Sequence, residues 1–486
     1  MRRAFLLACA SVAIAAVVAC ATAGDEPLPP GAAPQPSPAS DGGTGDTVDD
    51  GSGPILDASS RDGSCSEGGW CITPLPDRDL VLKDIWPFES RAFAIAESRT
   101  LGVKVIEWDA ATKTWSYIDD NSQNEYGLGQ FASKIWAPNE NEVYYGSAPS
   151  FIYRGVRATP SSQWSWQRER LEDNSRDPVP EHDHGLGYYY HPNSRETAIV
   201  PALGVWGTSA DDVYAWYANT IFHRKSVDGG AHTWIPEYIL EDADAPADTT
   251  YVFGAGGSSR DDVWFAGGRI RYDATGTKPP HMRDFACPVV LQKTAQGYRR
   301  IVDTFIDESA SYTSACGRKP GTVPLEDTLP IGKTDFTSAW EHIGWLTSAA
   351  SAGQNAMVGI LEGNSLAYVT SEDGGLARRN AIQNLSVPST EFGALLLSSV
   401  WVHDTHAWAS GWGLILQIDN NPGAWSTGRG LRTPKDNAVD SGTYRISSSV
   451  LDGVPIDVPL HQVRGTSNVN LWAIGARYAL HKTTTP

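Results

Sequence analysis

A nine-residue phrase that returns about every 50 residues constrains this chain more than anything in its composition. Trp206-Gly-Thr-Ser-Ala-Asp-Asp-Val-Tyr214 aligns with Gly256-Gly-Ser-Ser-Arg-Asp-Asp-Val-Trp264, with Arg464-Gly-Thr-Ser-Asn-Val-Asn-Leu-Trp472 and with Trp136-Ala-Pro-Asn-Glu-Asn-Glu-Val-Tyr144. Two copies, Trp86 to Phe93 and Trp401 to Trp408, are one residue tighter, and a seventh around Asn355-Ala-Met357-Val-Gly is weaker. The closing aromatic or Met falls at 93, 144, 214, 264, 357, 408 and 472, giving intervals of 51, 70, 50, 93, 51 and 64. Self-similarity at such a period marks a chain built from one supersecondary unit that buries its apolar faces against its neighbours.

Each copy reads as four short strands. An apolar strand ends at Trp or its substitute, and an Asx/Ser/Gly turn follows. The second strand is rich in aromatic and β-branched residues, as in Val213-Tyr-Ala-Trp216. A third strand such as Val105-Ile-Glu-Trp-Asp109 and a Trp-bearing fourth, such as Thr233-Trp234-Ile, complete the unit. Helical periodicity is nearly absent beyond the N-terminus. The expectation is an all-β β-propeller of about seven four-stranded blades over residues 65–486, with two β-sandwich domains as the alternative. The last copy stops at Tyr478-Ala-Leu-His481 without a closing Trp strand, and Trp70–Pro74 resembles the missing piece. The ring should therefore close by pairing Trp70–Pro74 with the blade begun near Val463.

The first 64 residues follow a different logic. Arg2 and Arg3 precede the apolar run Phe5–Val18, about 21 Å if helical and too short for a ~30 Å hydrocarbon core. That is the pattern of a signal peptide over residues 1–19. Val17-Val18-Ala19-Cys20 resembles a bacterial lipobox, which implies cleavage before Cys20 and its lipidation; an ordinary cleaved signal is the alternative. Arg2-Arg3-Ala4-Phe5-Leu6 also resembles a twin-arginine core, with general secretion preferred. Residues 21–64 carry eight acids against Arg61 alone, with seven Pro, eight Gly and no aromatic residue. Such a segment buries too little apolar surface to order itself, so residues 20–64 read as a lipidated Cys followed by an acidic tether. The implied location is the cell envelope, lipid-anchored, at the outer membrane of a Gram-negative bacterium. In an exported chain the remaining Cys65, Cys71, Cys287 and Cys316 suggest disulfides. Of three pairings, Cys65–Cys71 and Cys287–Cys316 close the shortest loops; a zinc site is the alternative.

The repeated units resemble those of exported bacterial propeller lipoproteins. Ser226-Val-Asp228-Gly-Gly230-Ala-His-Thr-Trp234 resembles an Asp-box hairpin with one extra residue before the Trp, and implies structural roles for Ser226, Asp228, Gly230 and Trp234. Ser371-Glu-Asp373-Gly-Gly375 keeps the turn and lacks the aromatic. Asp-boxes occur in sialidases and in non-enzymes alike, so the resemblance implies a fold and not an activity.

Chemistry is sparse. Asp211-Asp212 and Asp261-Asp262 recur at one repeat position, which favours turn and strand-cap hydrogen bonding over acid/base work. No HExxH, P-loop, GxSxG or dinucleotide fingerprint occurs. His182, His184 and His191 are weak metal candidates on an insertion with no fixed scaffold. Tyr188-Tyr189-Tyr190 on the same insertion suits a contact surface. Of the 18 Trp, twelve sit at repeat positions. Trp108, Trp166, Trp216, Trp340, Trp345 and Trp412 do not, and Trp216 and Trp412 join the tyrosines as candidate ligand contacts. A net charge of −19 disfavours nucleic acid. The expected role is binding of a protein or glycan through insertions 166–200 and 273–335, with no cofactor and no catalytic residue assigned. A propeller glycoside hydrolase or lyase, or an assembly factor for envelope complexes, are the alternatives.

Overall fold

The computed structural model describes residues 64–127, 131–174, 188–190, 199–226, 229–272 (without 243, 246 and 247), 284–306, 316–327 (without 324), 345–381 (without 362, 364 and 373), 397–419 and 444–483. All belong to the compact unit Ala58–Pro486. The calls on the signal, Cys20, the tether, His182, His184, His191 and Trp340 lie outside these residues.

Seven sheets of four or five strands follow one another along the chain, with consecutive strands paired antiparallel, except that Trp70–Ile72 completes the seventh and Leu325–Asp327 adds parallel to the edge of the fifth. Their first strands are Val81–Pro87, Ala132–Asn139, Leu203–Ser209, Thr249–Ser259, Leu346–Ser351, Leu397–His403 and Leu460–Ser467, heading blades 1 to 7. Each first strand touches the first strands of the blades before and after it, and the seventh touches the first. These strands therefore form the inner ring of a seven-bladed β-propeller. Blades 4 and 5 each carry a fifth, outer strand, Cys316–Arg318 and Leu325–Asp327.

The aromatic surplus is explained by what lies between blades. A propeller has no single core; it has one wedge of apolar side chains per interface. Seven such clusters are present, one for each consecutive pair of blades. Second strands such as Asp212–Tyr217 (DVYAWY) are buried on both faces because a neighbouring blade covers each side. Large flat side chains fill the wedges: Trp70, Trp136, Trp216, Trp264 and Trp472 are all essentially inaccessible, and Trp345 is equally buried in a smaller cluster with Ala202 and Phe253.

The conserved grammar within the repeat has a backbone cause. The hairpin between first and second strands carries a register shift at Gly207/Ser209, at Gly257/Ser259 and again at Gly465/Ser467. A Cβ on Gly257 would lie 2.3 Å from the Asp262 carbonyl oxygen, and one on Gly465 would lie 2.4 Å from that of Asn470. The bulge brings backbone against backbone, and only glycine fits.

Ring closure occurs where the sequence places it. Trp70–Ile72 adds to Ala479–Lys482 as the fourth strand of blade 7, with Trp70 opposite Lys482 and Ile72 opposite Leu480. The Thr73 amide continues the ladder to the Ala479 carbonyl at 2.9 Å. The Cys65–Cys71 disulfide ties this strand, through its central residue Cys71, to the segment just before it, and Cys287–Cys316 is the second disulfide.

Two boundaries need correction. Residues 166–170 belong to the fourth strand of blade 2, Ser165–Arg170, so the insertion there starts later. The stretch 273–335 is not one long loop: Asp284–Thr294 and Gly297–Ile306 are the third and fourth strands of blade 4. The Cys287–Cys316 bridge accordingly staples the outer strand Cys316–Arg318 to a blade strand rather than capping a free loop.

Candidate functional site

The two acidic pairs divide their labour. Asp211 and Asp261 are exposed, whereas Asp212 and Asp262 are buried. Asp262 accepts from Ser258 Oγ at 2.6 Å, Trp264 Nε1 at 2.8 Å, Gln292 Nε2 at 2.9 Å and the Asn355 amide at 3.1 Å, the last reaching across from blade 5. Asp212 accepts from Thr208 Oγ1 and from Tyr214 OH, and lies 3.2 Å from His223 Nε2. His223 also lies 3.3 Å from Glu237 and stacks on Tyr214 at 4.3 Å. Burial works against a charge on His223, yet the carboxylates of Asp212 and Glu237 outweigh it and raise the pKa. Glu237, despite its own burial, is held down to about 2 by His223, Lys225 and Tyr298.

The same two positions, the start of the second strand and the third-strand residue opposite the aromatic, carry a polar pair in other blades. Blade 1 has Arg91 and Glu107 at 2.6 Å, blade 2 has Arg154 and Glu142 at 2.7 Å, and blade 7 has His481 and Asn470 at 2.8 Å. The identities change, even in sign of charge, while the pairing stays. That is the behaviour of a blade-locking contact, and it gives Asp212 and Asp262 the structural hydrogen-bonding role that their repeat position favours. Beside it, a cleft of about 430 Å³ between blades 1 and 2 is lined by Arg91, Glu107, Asp109 and Thr114. Its charges are already matched, since Arg157 grips Glu107 through two 2.8 Å hydrogen bonds.

The sequence-derived contact residues fare unevenly. Trp216 is a correction: at 1% exposure it packs between blades 3 and 4 and offers no surface to a ligand. Trp345 and Trp108 are likewise core residues. Trp412 is half-buried and forms an isolated bridge with Pro459, and Trp166 donates from Nε1 to the Ile118 carbonyl. Tyr188–Tyr190 is a strand paired with Ile199–Pro201 instead of an open loop. In the Asp-box-like hairpin, Ser226 Oγ donates to the Gly230 carbonyl at 2.8 Å, and Trp234 meets Tyr144 of blade 2 edge-on. Asp228 lies outside the described residues.

Sequence reading missed a cluster on the inner ring. The first strands of blades 7, 1 and 2 carry His461, Arg464, Lys83, Asp84 and Lys134. The first strands of blades 3, 4, 5 and 6 contain no Lys, Arg, Asp or Glu at all. Asp84 ties the charged arc together: it accepts from the Ile135 amide of blade 2 at 2.9 Å and lies 3.6 Å from Arg464 Nη1 of blade 7. Arg464 also donates to the Ile85 carbonyl and lies over the Trp86 ring. Lys83 pairs with Glu97 at 3.0 Å. Burial depresses the Lys134 pKa, with Asp84 opposing and Arg464 adding to the effect. Burial, then Lys83 and Lys134, pull His461 down to about 3, so its ring is neutral.

No protein-family model and no curated protein sequence matches this chain. Among solved structures it is similar to YCF48 from Cyanidioschyzon merolae, at 14% identity and a TM-score of 0.40, over 85% of this chain and 98% of that one. YCF48 bound to D1 peptide is similar at 9% identity and a TM-score of 0.44, over 87% and 97%. The WD40 β-propeller domain of Doa1 is similar at 8% and 0.44, over 86% and 98%. At these identities no residue role is carried from one protein to the other.

Proposed function

We propose that this chain is an exported, lipid-anchored β-propeller that binds a protein or glycan through one face of its ring and carries out no chemistry of its own. The observation that supports this most is where the long connections emerge. Strand direction alternates within each blade, so links from a fourth strand to the next first strand share a face with links from second to third strands. The long connections 171–202 and 382–396 are of the first kind and 273–283 is of the second, while 307–345 leaves and returns on that face with the outer strands Cys316–Arg318 and Leu325–Asp327 between. The opposite face has first-to-second turns of two to four residues throughout, with 420–443 its one long link. A ring of sheets that gathers its long connections on one side is the usual arrangement for recognition. The engagement of Asp212 and Asp262 in blade locking supports binding over hydrolysis.

Two experiments test the reading. Glycan and peptide arrays probed with the full chain, run beside a hydrolysis assay on each bound glycan, should give stable binding without product; turnover without stable binding would overturn it. The anchor is tested by Cys20→Ser, which should abolish fatty-acid labelling and move the protein from the membrane to the soluble fraction.

A further inference from the structure

We propose that the mouth of the central channel, on the face carrying the long connections, receives one oxyanion group of the ligand, a carboxylate or a phosphate, held by Lys134 with His461 beside it. This deepens the binding reading above and rests on it. The position follows from topology. First strands run from the long-connection face towards the tight-turn face, and Lys83, Lys134 and His461 stand at the third, third and second residues of theirs. They therefore sit at the entrance rather than deep in the channel.

The demand for an anion follows from the pairing. Arg464 lies 3.6 Å from Asp84 and Lys83 lies 3.0 Å from Glu97, so two of the three basic side chains are within ion-pair distance of a carboxylate, while Asp84 acts on Lys134 only at longer range. Glu97 is further committed, accepting from the Ala132 amide at 2.9 Å. Lys134 has no hydrogen-bond or ion-pair partner among the described residues, and it is partly buried. An unpaired ammonium withdrawn from water is costly, and an incoming oxyanion is the group that removes that cost. His461, near the start of the blade 7 first strand and within electrostatic reach of Lys134, supplies a ring N–H donor. The first strands of the opposite arc, which include Gly204, Ser348 and Ser398, carry no carboxylate. In a chain of net charge −19, this is a local inversion of sign at the axis of the ring.

The test titrates the full chain with citrate, with inorganic phosphate and with chloride at matched ionic strength, reading heat of binding and thermal stabilisation. Citrate or phosphate should bind and chloride should not, and the stronger of the two identifies the oxyanion class. Lys134→Met should fold, because it removes an unpaired cation at similar volume, and should weaken oxyanion binding about tenfold or more. If that variant melts without cooperativity, Lys134→Gln takes its place. No oxyanion response in the wild type, or equal binding by wild type and variant, overturns the assignment. A protein or glycan partner that binds the Lys134 variant unchanged also overturns it, while leaving the binding reading intact. A chain that responds to citrate through Lys134 yet captures nothing on either array upholds the site and defeats the broader reading.

Discussion

Replacing Trp70 by Ala tests how the ring is held shut. Trp70 is fully buried, packs edge-on against Trp408 of blade 6 at 5.9 Å, and donates from Nε1 to Ser447 Oγ at 2.9 Å. It thus joins the closing strand of blade 7 to the fourth strand of blade 6. Truncating a buried Trp to Ala costs about 3–5 kcal/mol, a large part of the ~5–15 kcal/mol that holds most folds together. At ~2.1 cal/mol/K per residue, the roughly 420 residues from 64 to 483 unfold with an entropy near 0.9 kcal/mol/K. Trp70→Ala should therefore lower the melting temperature by about 3–6 °C in a calorimetric scan. Trp408→Ala made alone and in combination should show a coupling of about 0.5–1.5 kcal/mol, as expected for an edge-to-face pair. A single-mutant shift below about 1 °C, the size of a surface substitution, would refute closure by this strand.

Three further outcomes follow from the same contacts. Asp262→Ala should cost about 2–4 kcal/mol in denaturant unfolding because it strands buried donors, while Asp261→Ala should stay within about 0.5 kcal/mol; equal effects would contradict the division between them. His223 has a raised pKa in the fold, so its contribution is complete below its ordinary value of 6.5 and is lost as pH rises through the folded value. Glu237 acts in the opposite sense, its contribution fading as pH falls from 4.5 towards about 2. Unfolding midpoints of His223→Gln should lack the decline above pH 6.5 that the wild type shows, and a decline of the same size would count against the pairing. Reducing the Cys287–Cys316 bridge, which spans 29 residues, should cost about 3–4 kcal/mol, against about 2–2.5 for Cys65–Cys71, which spans six. Cys→Ser variants measured under oxidising conditions check that order.

What was legible in the sequence was everything carried by local repetition. The bulge that demands Gly207, Gly257 and Gly465 lies seven residues before Tyr214, Trp264 and Trp472, so the unit could be read directly and its number set at about seven. Closure was legible because a blade short of one strand at one end matched an orphan strand at the other. Blade 4 was harder. Its third and fourth strands, Asp284–Thr294 and Gly297–Ile306, contain no Trp, and without that marker they passed for part of an insertion. Trp216 misled for the converse reason: an aromatic off the repeat position looked free, yet both faces of a second strand are covered in this fold. The axial cluster was out of reach. Lys83, Lys134 and His461 come together only once the ring closes, and no pattern along the chain announces that. The nearest clue was charge, present on the first strands of three successive blades and missing from the other four.

The closing strand also sets a condition on synthesis. Trp70–Ile72 is made about 400 residues before Ala479–Lys482, the blade 7 strand it pairs with, and the four-stranded blade 7 exists only when both are present. Until then its first strand Leu460–Ser467 and the wedges on either side stay open, with Trp70, Trp408 and Trp472 unshielded. A chain stopped anywhere upstream of Leu471 keeps Trp70 and Trp408 exposed, which marks it for proteolysis or for holding by a chaperone. The join between first and last strands thus works as a proofreading step on length: a chain is sealed only after its final strand has been made.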